Sequence, residues 1–342
     1  MNQESRSPTL TEIAAMAGCS VSTVSKALSG APDVASHTRE KVRRIAASAG
    51  YKSRSKSAAA RSFHSLTMAF ESYGSIYSNE LLAGALAQTT TSDYRSEVTI
   101  LPERIDGPGE ASRWVEETMA NGSRGALLVT GKISGELVRT AQNERFPLVA
   151  IDPKHRTSHE ITSIGATNWA GGFAATEHLL NLGHTNIGFA GLDMEADYAV
   201  ERFAGFRSAL EKYGHALKAN LVYYGSTDYG FGRRVGERIL RAKVRPTAVV
   251  CVADTAAFGV IEAVRQGGLT VPDDLSVTGF DDIPPARWMS PELTTIRQPL
   301  RQMGGLGIRT LIRLIEGKPA DSQKVQLATT LITRSSTGPV PR

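Results

Sequence analysis

The chain has 342 residues, 39 Lys+Arg against 34 Asp+Glu, 41% hydrophobic residues and two cysteines. That length and apolar content suit two or three compact units with real cores and exclude global disorder. No run of apolar residues is long enough to span a bilayer, and the polar start MNQESRSPTLTEIA lacks a secretory pattern. Cys19 and Cys251 lie too far apart in sequence to form a disulfide framework, so a reducing, cytoplasmic setting is expected.

The charge is unevenly spread. Residues 1–64 carry ten Lys+Arg and four Asp+Glu, a net of +6, whereas the other 278 residues carry 29 basic and 30 acidic groups. A small basic unit on a near-neutral body implies a polyanionic partner, most simply nucleic acid. A basic solubilising tail is the plainer alternative.

Capping and stop signals divide residues 9–50 into three short helices. Thr9-Leu10-Thr11-Glu12 has the pattern of a capping box. Ile13, Ala14 and Ala17 mark one face, and Gly18 provides a stop. Ser20 can cap a second helix with Val24 and Leu28 facing inward, ended by Gly30. Ser36 can cap a third helix, whose Val42, Ile45, Ala46 and Ala49 recur at i, i+3, i+4 and i+7 before Gly50.

Two short helices joined through Gly18-Cys19-Ser20 form a helix-turn-helix pattern, the alternative being a generic three-helix bundle. The outer side of the second helix carries Val21, Ser22, Ser25 and Lys26. Lys26 can bond the O6/N7 edge of guanine, Ser22 either kind of base edge, and the Val21 methyls a thymine methyl. Ser20, Thr23, Ser25 and His37 are candidate phosphate anchors.

These residues carry a resemblance. The elements T-L-x-x-I-A-x-x-A-G, S-x-x-T-V-S-x-x-L and T-R-x-x-V-x-x-x-A-x-x-x-G-Y resemble the DNA-binding headpiece of the LacI/GalR (lactose-repressor-like) family of bacterial transcription regulators. The resemblance implies that Val21, Ser22 and Lys26 occupy the base-reading positions. Cys19 stands where a Val is usual and is expected to pack as a small apolar group.

Residues 52–62, KSRSKSAAARS, read as a flexible basic linker. In the family, this hinge orders into a short helix on DNA and wedges a Leu into the minor groove. Here Ser53, Arg54, Ala58 and Ala60 stand at the usual Pro, Asn, Arg and Leu. The alanines favour helix, but Ala60 is too small to unstack a base step well. Phe63 is a candidate substitute. Arg54, Lys56 and Arg61 are expected to contact phosphate and minor groove, with little kinking of the DNA.

From residue 65, strands are expected at Leu66–Phe70, Glu97–Leu101, Ala126–Thr130, Pro147–Ile151, Ile187–Gly191, Leu221–Tyr224, Ala248–Val252 and Leu275–Gly279. Helices are expected near 77–92, 109–121, 134–144, 169–182, 199–213, 230–242, 255–267 and 299–316. The alternation argues for parallel sheets covered on both faces, and the length for two doubly wound lobes that bind a ligand at the carboxyl ends of their strands. The segments GSRGALLV, HLLNLGHTNIGFAGL, ERFAGFRSAL and GLTVPDDLSVTGFDD resemble the family's effector domain, a fold similar to periplasmic sugar-binding proteins.

The expected fold class is thus an all-α helix-turn-helix headpiece plus an α/β two-lobed effector domain of periplasmic-binding-protein type. The expected domains are a headpiece at 8–51, a hinge at 52–64 and a body at 65–342. Lobe 1 takes about 65–164 and 297–324, lobe 2 about 165–290 and 325–340. Crossings are placed near 164–168, 285–297 and 322–328.

By position in the family pattern, Arg202, Asp281 and Tyr229 become candidate effector contacts. Asp152 at a strand end, Asn168 at the head of a helix, and Tyr77 join them. Plainer roles stay open for each: loop caps for Asp152 and Asp281, a surface ion pair for Arg202, and packing for Tyr229 and Tyr77. The family's Asn-Asp after the Ala248–Val252 strand reads Ala253-Asp254, so the pocket is altered. A sugar or sugar derivative is the expected effector, with a purine or amino-acid-derived compound left open.

No Walker A or G-x-S-x-G motif is present, and His155 and His159 form the closest His pair without a third ligand. No catalytic activity, metal or cofactor is expected. The expectation is a regulator that binds a pseudo-palindromic operator in double-stranded DNA as a homodimer, with tetramerisation open, under control of a small-molecule effector. The competing expectation is a small-molecule binding protein with no DNA function.

Overall fold

A computed structural model describes residues 8–29, 34–49, 64–71, 74–102, 105, 107–131, 133–153 and 161–341. The chain divides into two compact units, residues 1–62 and 63–342.

The first unit holds three helices, α1 (Leu10–Ala17), α2 (Val21–Ser29) and α3 (Ser36–Ser48). The capping box forms as Thr9 Oγ1 accepts from Glu12 N at 3.3 Å while the Glu12 carboxylate accepts from Thr9 N. Gly18 ends α1 at φ +64°, a conformation that a side chain would oppose. Ser20 Oγ caps α2 by accepting from Thr23 N at 3.0 Å. The core comprises Ile13, Ala14, Ala17, Val24, Ala27, Val34, Val42 and Ala46, with Leu28 and Cys19 packed at its edge. Cys19 therefore fills a small apolar position, its thiol donating to Ala17 O at 3.4 Å.

The second unit contains two six-stranded sheets. The first lobe is built from β1 (Ser65–Phe70), α4 (Ile76–Thr89), β2 (Arg95–Ile100), α5 (Pro108–Ala120), β3 (Ser123–Val129), α6 (Gly135–Asn143), β4 (Leu148–Ile151) and β5 (Thr162–Ala166). The second holds α7 (Asn168–Asn181), β6 (Ile187–Leu192), α8 (Asp197–Lys212), β7 (Val222–Tyr224), α9 (Tyr229–Arg241), β8 (Ala248–Cys251), α10 (Asp254–Gln266), β9 (Ser276–Asp281) and β10 (Thr294–Arg297). The chain returns to the first lobe for α11 (Leu300–Ile315) and β11 (Lys324–Leu327), then to the second for β12 (Thr330–Ile332).

Strand order is β11-β5-β4-β3-β1-β2 in one sheet and β12-β10-β9-β8-β6-β7 in the other. All pairings are parallel except β10–β12. Central strands such as β4, β6, β8 and β9 are buried along their whole length, as expected of parallel strands covered on both faces.

Three helix pairs cross at reciprocal glycines. A Cβ on Gly172 of α7 would lie 2.1 Å from Arg202 O, and one on Gly205 of α8 2.1 Å from Trp169 O. Gly232 and Gly259 play the same part between α9 and α10, as do Gly84 and Gly304 between α4 and α11. Only glycine permits this backbone approach.

Two lobe boundaries differ from expectation. β10 pairs with β9, so the second lobe extends to Arg297 rather than to about 290. β11 pairs with β5, so the first lobe reclaims residues up to Leu327 rather than ending near 324. The strands at these crossings are four residues long and half or more polar, which hides them from an apolar-run search. Among the described residues, no helix is long and apolar enough to cross a membrane.

Candidate functional site

In the first unit, Val21 is 43% exposed, and Ser22, Ser25 and Lys26 share its outward face on α2. His37 is exposed in the first turn of α3. Ser20 and Thr23 bond each other through their hydroxyls at 2.8 Å, so both serve first as the cap of α2. Arg54, Lys56 and Arg61 lie outside the described residues, as do Ala60, Phe63, His155 and His159.

In the second unit, a cavity of about 900 Å³ opens between the lobes. Its walls are the residues that follow the carboxyl ends of the strands. Glu71 follows β1, Leu101 and Pro102 follow β2, Thr130 follows β3 and Asp152 follows β4. Across the cleft stand Tyr198 and Arg202 of α8, Thr227 after β7, Ala253 after β8 and Asp281 at the end of β9. This is where doubly wound sheets place ligands, because the loops diverge there and helix N-termini converge.

Arg202 is the centre of the second-lobe wall and only 4% exposed. Its Nε donates to Asn168 Oδ1 at 2.9 Å and its Nη1 to Val252 O at 2.5 Å. Its guanidinium lies 3.6 Å from the Phe280 ring centroid and 3.7 Å from Asp281 Oδ1. Asp281, 7% exposed, also accepts from Gln298 Nε2 at 2.7 Å. Burial raises the Asp281 carboxyl to about 6, against the opposing pull of Arg202 and Gln298.

On the facing wall, the Tyr77 hydroxyl donates to Asp152 Oδ2 at 2.6 Å. Desolvation raises the Asp152 carboxyl, while the Tyr77 bond and Arg202 oppose the rise. Tyr77 itself is raised well above the usual phenol, by burial and then by Asp152. Tyr198 is pushed up to about 12 by burial. Asp152 sits at φ +43° and Asp281 at φ +118°, where L-residues rarely go. Such strain persists where the surroundings hold a side chain to a task.

The structure therefore brings Tyr77, Asp152, Arg202 and Asp281 to one cavity. Asn168 stands behind Arg202 and orients it. Tyr229 is not on the wall: it starts α9, is 44% exposed, and follows the cap Asp228, so Thr227 faces the cavity instead. Sequence reasoning missed Glu71, Thr130, Tyr198, Thr227 and Thr255. The usable signal was position, since all but Tyr198 fall within a few residues of a parallel strand's carboxyl end.

Ala253 lines the cavity where the family pattern has an amide, leaving an apolar spot. The next residue, Asp254, is fully buried and turned away into structure, accepting from Thr295 Oγ1 at 2.5 Å and Ile283 N at 2.9 Å.

A family profile described as bacterial regulatory proteins, lacI family, matches residues 9–53. Another, described as a periplasmic binding protein-like domain, matches residues 176–337. Over 332 residues, 96% of this chain and 98% of the relative, the chain is 30% identical to the ribose operon repressor of Haemophilus influenzae. It is 28% identical over 335 residues, at 96% and 98% coverage, to the HTH-type transcriptional repressor PurR of Vibrio campbellii.

Among solved structures, the complex of the transcriptional regulator CelR with cellobiose superposes with a TM-score of 0.71 at 25% identity, covering 96% of this chain and 99% of that one. The lac repressor dimer bound to operator and an anti-inducer shares the fold, with a TM-score of 0.72 at 24% identity over 97% and 100% of the two chains. A helix-turn-helix unit joined to a two-lobed cleft defines a DNA-binding transcription regulator with a small-molecule effector domain. Within that class, the chain belongs to the lacI family of bacterial regulatory proteins.

Proposed function

We propose that this regulator is a cytoplasmic repressor, without catalytic activity, that binds a pseudo-palindromic operator as a homodimer. Val21, Ser22 and Lys26 read base edges in the major groove. Ser20, Thr23, Ser25 and His37 act at the phosphates, together with Arg54, Lys56 and Arg61 of the hinge. The body, residues 65–342, binds a sugar or sugar derivative between its lobes. Arg202, Asp281, Asp152 and Tyr77 touch that ligand, Asn168 holds Arg202, and Tyr229 stands at the rim.

The observation that carries this reading is a cavity walled by both lobes, with Arg202 and Asp281 on one side and Asp152 and Tyr77 on the other. A ligand that bonds both walls changes the energy of lobe closure, which is the requirement for a coupled switch.

The test is operator binding by fluorescence anisotropy, with inverted-repeat DNA and candidate sugars. Binding is expected to change with ligand by a coupling energy of about 1–3 kcal/mol. Deleting residues 1–62 is expected to abolish DNA binding and preserve sugar binding. A truncated protein that still binds the operator, or a full-length protein indifferent to every repeat offered, removes the proposal.

A further inference from the structure

We infer that Asp152, with Glu71 two strands away on the same wall, makes the cleft a site for uncharged or amine-bearing polyhydroxylated molecules and closes it to ligands bearing a carboxylate or phosphate. The inference rests on the functional reading above only in taking this cavity as the effector site.

An anion entering this cavity needs a cation, and the one cation among the described wall residues is already partly committed. Arg202 is the one cation on the described wall. Its Nε and Nη1 are held by Asn168 and Val252, and Asp281 stands 3.7 Å away as its counter-charge. Of the helix N-termini around the cavity, those of α4 and α9 carry side-chain caps. Ser75 Oγ accepts from Ser78 N at the start of α4, and Asp228 Oδ1 accepts from Phe231 N at 2.7 Å at the start of α9. Helices α8 and α10 begin after Ala196 and Ala253 with no such cap, so the exclusion of anions rests on the carboxylates of the wall.

Acceptors, by contrast, are in surplus. The Asp152 carboxylate is bonded by the Tyr77 hydroxyl, an uncharged donor. Glu71 Oε2 takes Gly131 N at 3.3 Å and Thr130 Oγ1 at 3.4 Å, again without charge. Among the described residues, no cation lies within ion-pair distance of either carboxylate. Sugar hydroxyls satisfy such acceptors, and an ammonium does so with opposite charge. A second anion a few ångströms from Asp152 meets Coulomb repulsion in a cavity of reduced dielectric.

The experiment uses the full-length protein and matched probes: glucose, glucosamine and glucuronate; galactose, galactosamine and galacturonate; ribose and ribose 5-phosphate. Binding is measured by titration calorimetry. At least one neutral or amino probe is expected to bind, with its acidic or phosphorylated counterpart at least about tenfold weaker. The isosteric D152N variant is expected to shrink that ratio to near one. Asn also tolerates φ above zero and still accepts from Tyr77, so the fold is retained. E71Q provides a second variant that lies outside the strained backbone positions, and is expected to narrow the ratio as well.

An acidic probe that binds wild type as well as its neutral parent overturns the inference. So does a ratio unmoved in both variants, or no binding by any neutral or amino probe. Operator binding read in the same samples separates the two claims. Sugar binding with no effect on DNA defeats the switch and leaves charge selection standing, whereas acid binding that still shifts operator affinity does the reverse.

Discussion

Replacing Arg202 with Ala removes the one described cation of the cleft and exposes how Asp281 is kept charged. The substitution strips a donor from Asn168 Oδ1 and from Val252 O, and takes the counter-charge from Asp281. Each orphaned buried acceptor costs about 1–3 kcal/mol, and breaking a buried pair costs about 3–5 kcal/mol in all. The cost depends on pH with a definite sign. Asp281 titrates at about 6 in the folded protein, above the value of about 3.9 for an unfolded Asp. The folded state therefore holds that proton more tightly, and stability falls as pH rises from about 4 through about 6. At 1.36 kcal/mol for each pH unit, ionising Asp281 costs roughly 3 kcal/mol with Arg202 in place. Without Arg202 the carboxyl rises further, and the window of falling stability extends towards neutrality. Urea unfolding of wild type and R202A at about pH 5 and about pH 7.5 is the assay. The deficit of the variant is expected to be larger at the higher pH, by at least about 1 kcal/mol, because at low pH the bare carboxyl is protonated. A deficit that is equal at the two pH values, or larger in acid, refutes the account of Arg202 as counter-charge. Ligand response is expected to be lost in the same variant, and persistence of that response removes Arg202 from the pocket.

K26A is expected to weaken operator binding by about 1–3 kcal/mol and to relax preference at one base pair; a binding-site selection that returns an unchanged motif contradicts the groove assignment. Raising salt from about 50 to about 200 mM is expected to lower operator affinity by orders of magnitude, and a flat response in the anisotropy assay contradicts the phosphate contacts of the headpiece. G172A places a methyl 2.1 Å from Arg202 O. Its overpacking cost of about 1–3 kcal/mol is expected to outweigh the helix-propensity gain of about 1 kcal/mol. A melting temperature that rises shows instead that α7 and α8 separate freely.

The legible parts of this chain are those where local chemistry and tertiary context agree. Thr9, Glu12, Gly18 and Ser20 cap or stop helices wherever they occur, so the headpiece could be read residue by residue. Most of the eight expected strands are apolar runs because both faces of a central parallel strand are buried, the edge strand β2 (RSEVTI) being the polar exception, and all eight are present within a few residues. The four strands that were missed, β5, β10, β11 and β12, lie at the crossings, and sequences such as TTIR and KVQL hold only one or two apolar residues among polar ones. Their pairing is decided by where the chain has already been carried, which is information held by the sheet and not by the segment. The site divides the same way. Asp152 follows and Asp281 ends a fully buried strand, so their place was readable. Tyr229 and Thr227 are two residues apart at the mouth of α9, and the choice between them depends on the cap made by Asp228, a matter of local rotation that no pattern reports.

The two charges on the second-lobe wall are each held by a residue at a lobe crossing. Asn168, which accepts from Arg202, begins α7 directly after the first crossing at Thr167. Gln298, which donates to Asp281, is the first residue of the second crossing after β10 ends at Arg297. The first and third crossings are themselves joined, since Thr329 N donates to Thr167 Oγ1 at 3.0 Å and Thr167 N donates to Leu327 O at 3.0 Å. A ligand that draws on Arg202 or Asp281 therefore competes with bonds made to the segments about which the lobes turn. Hinges absorb their change of angle over a few such residues, so small displacements of these side chains are applied where the lobes are most sensitive to them. On the proposed function, binding at Arg202 or Asp281 would be coupled to lobe geometry by these shared hydrogen-bond partners, without any need for a longer chain of contacts through the core.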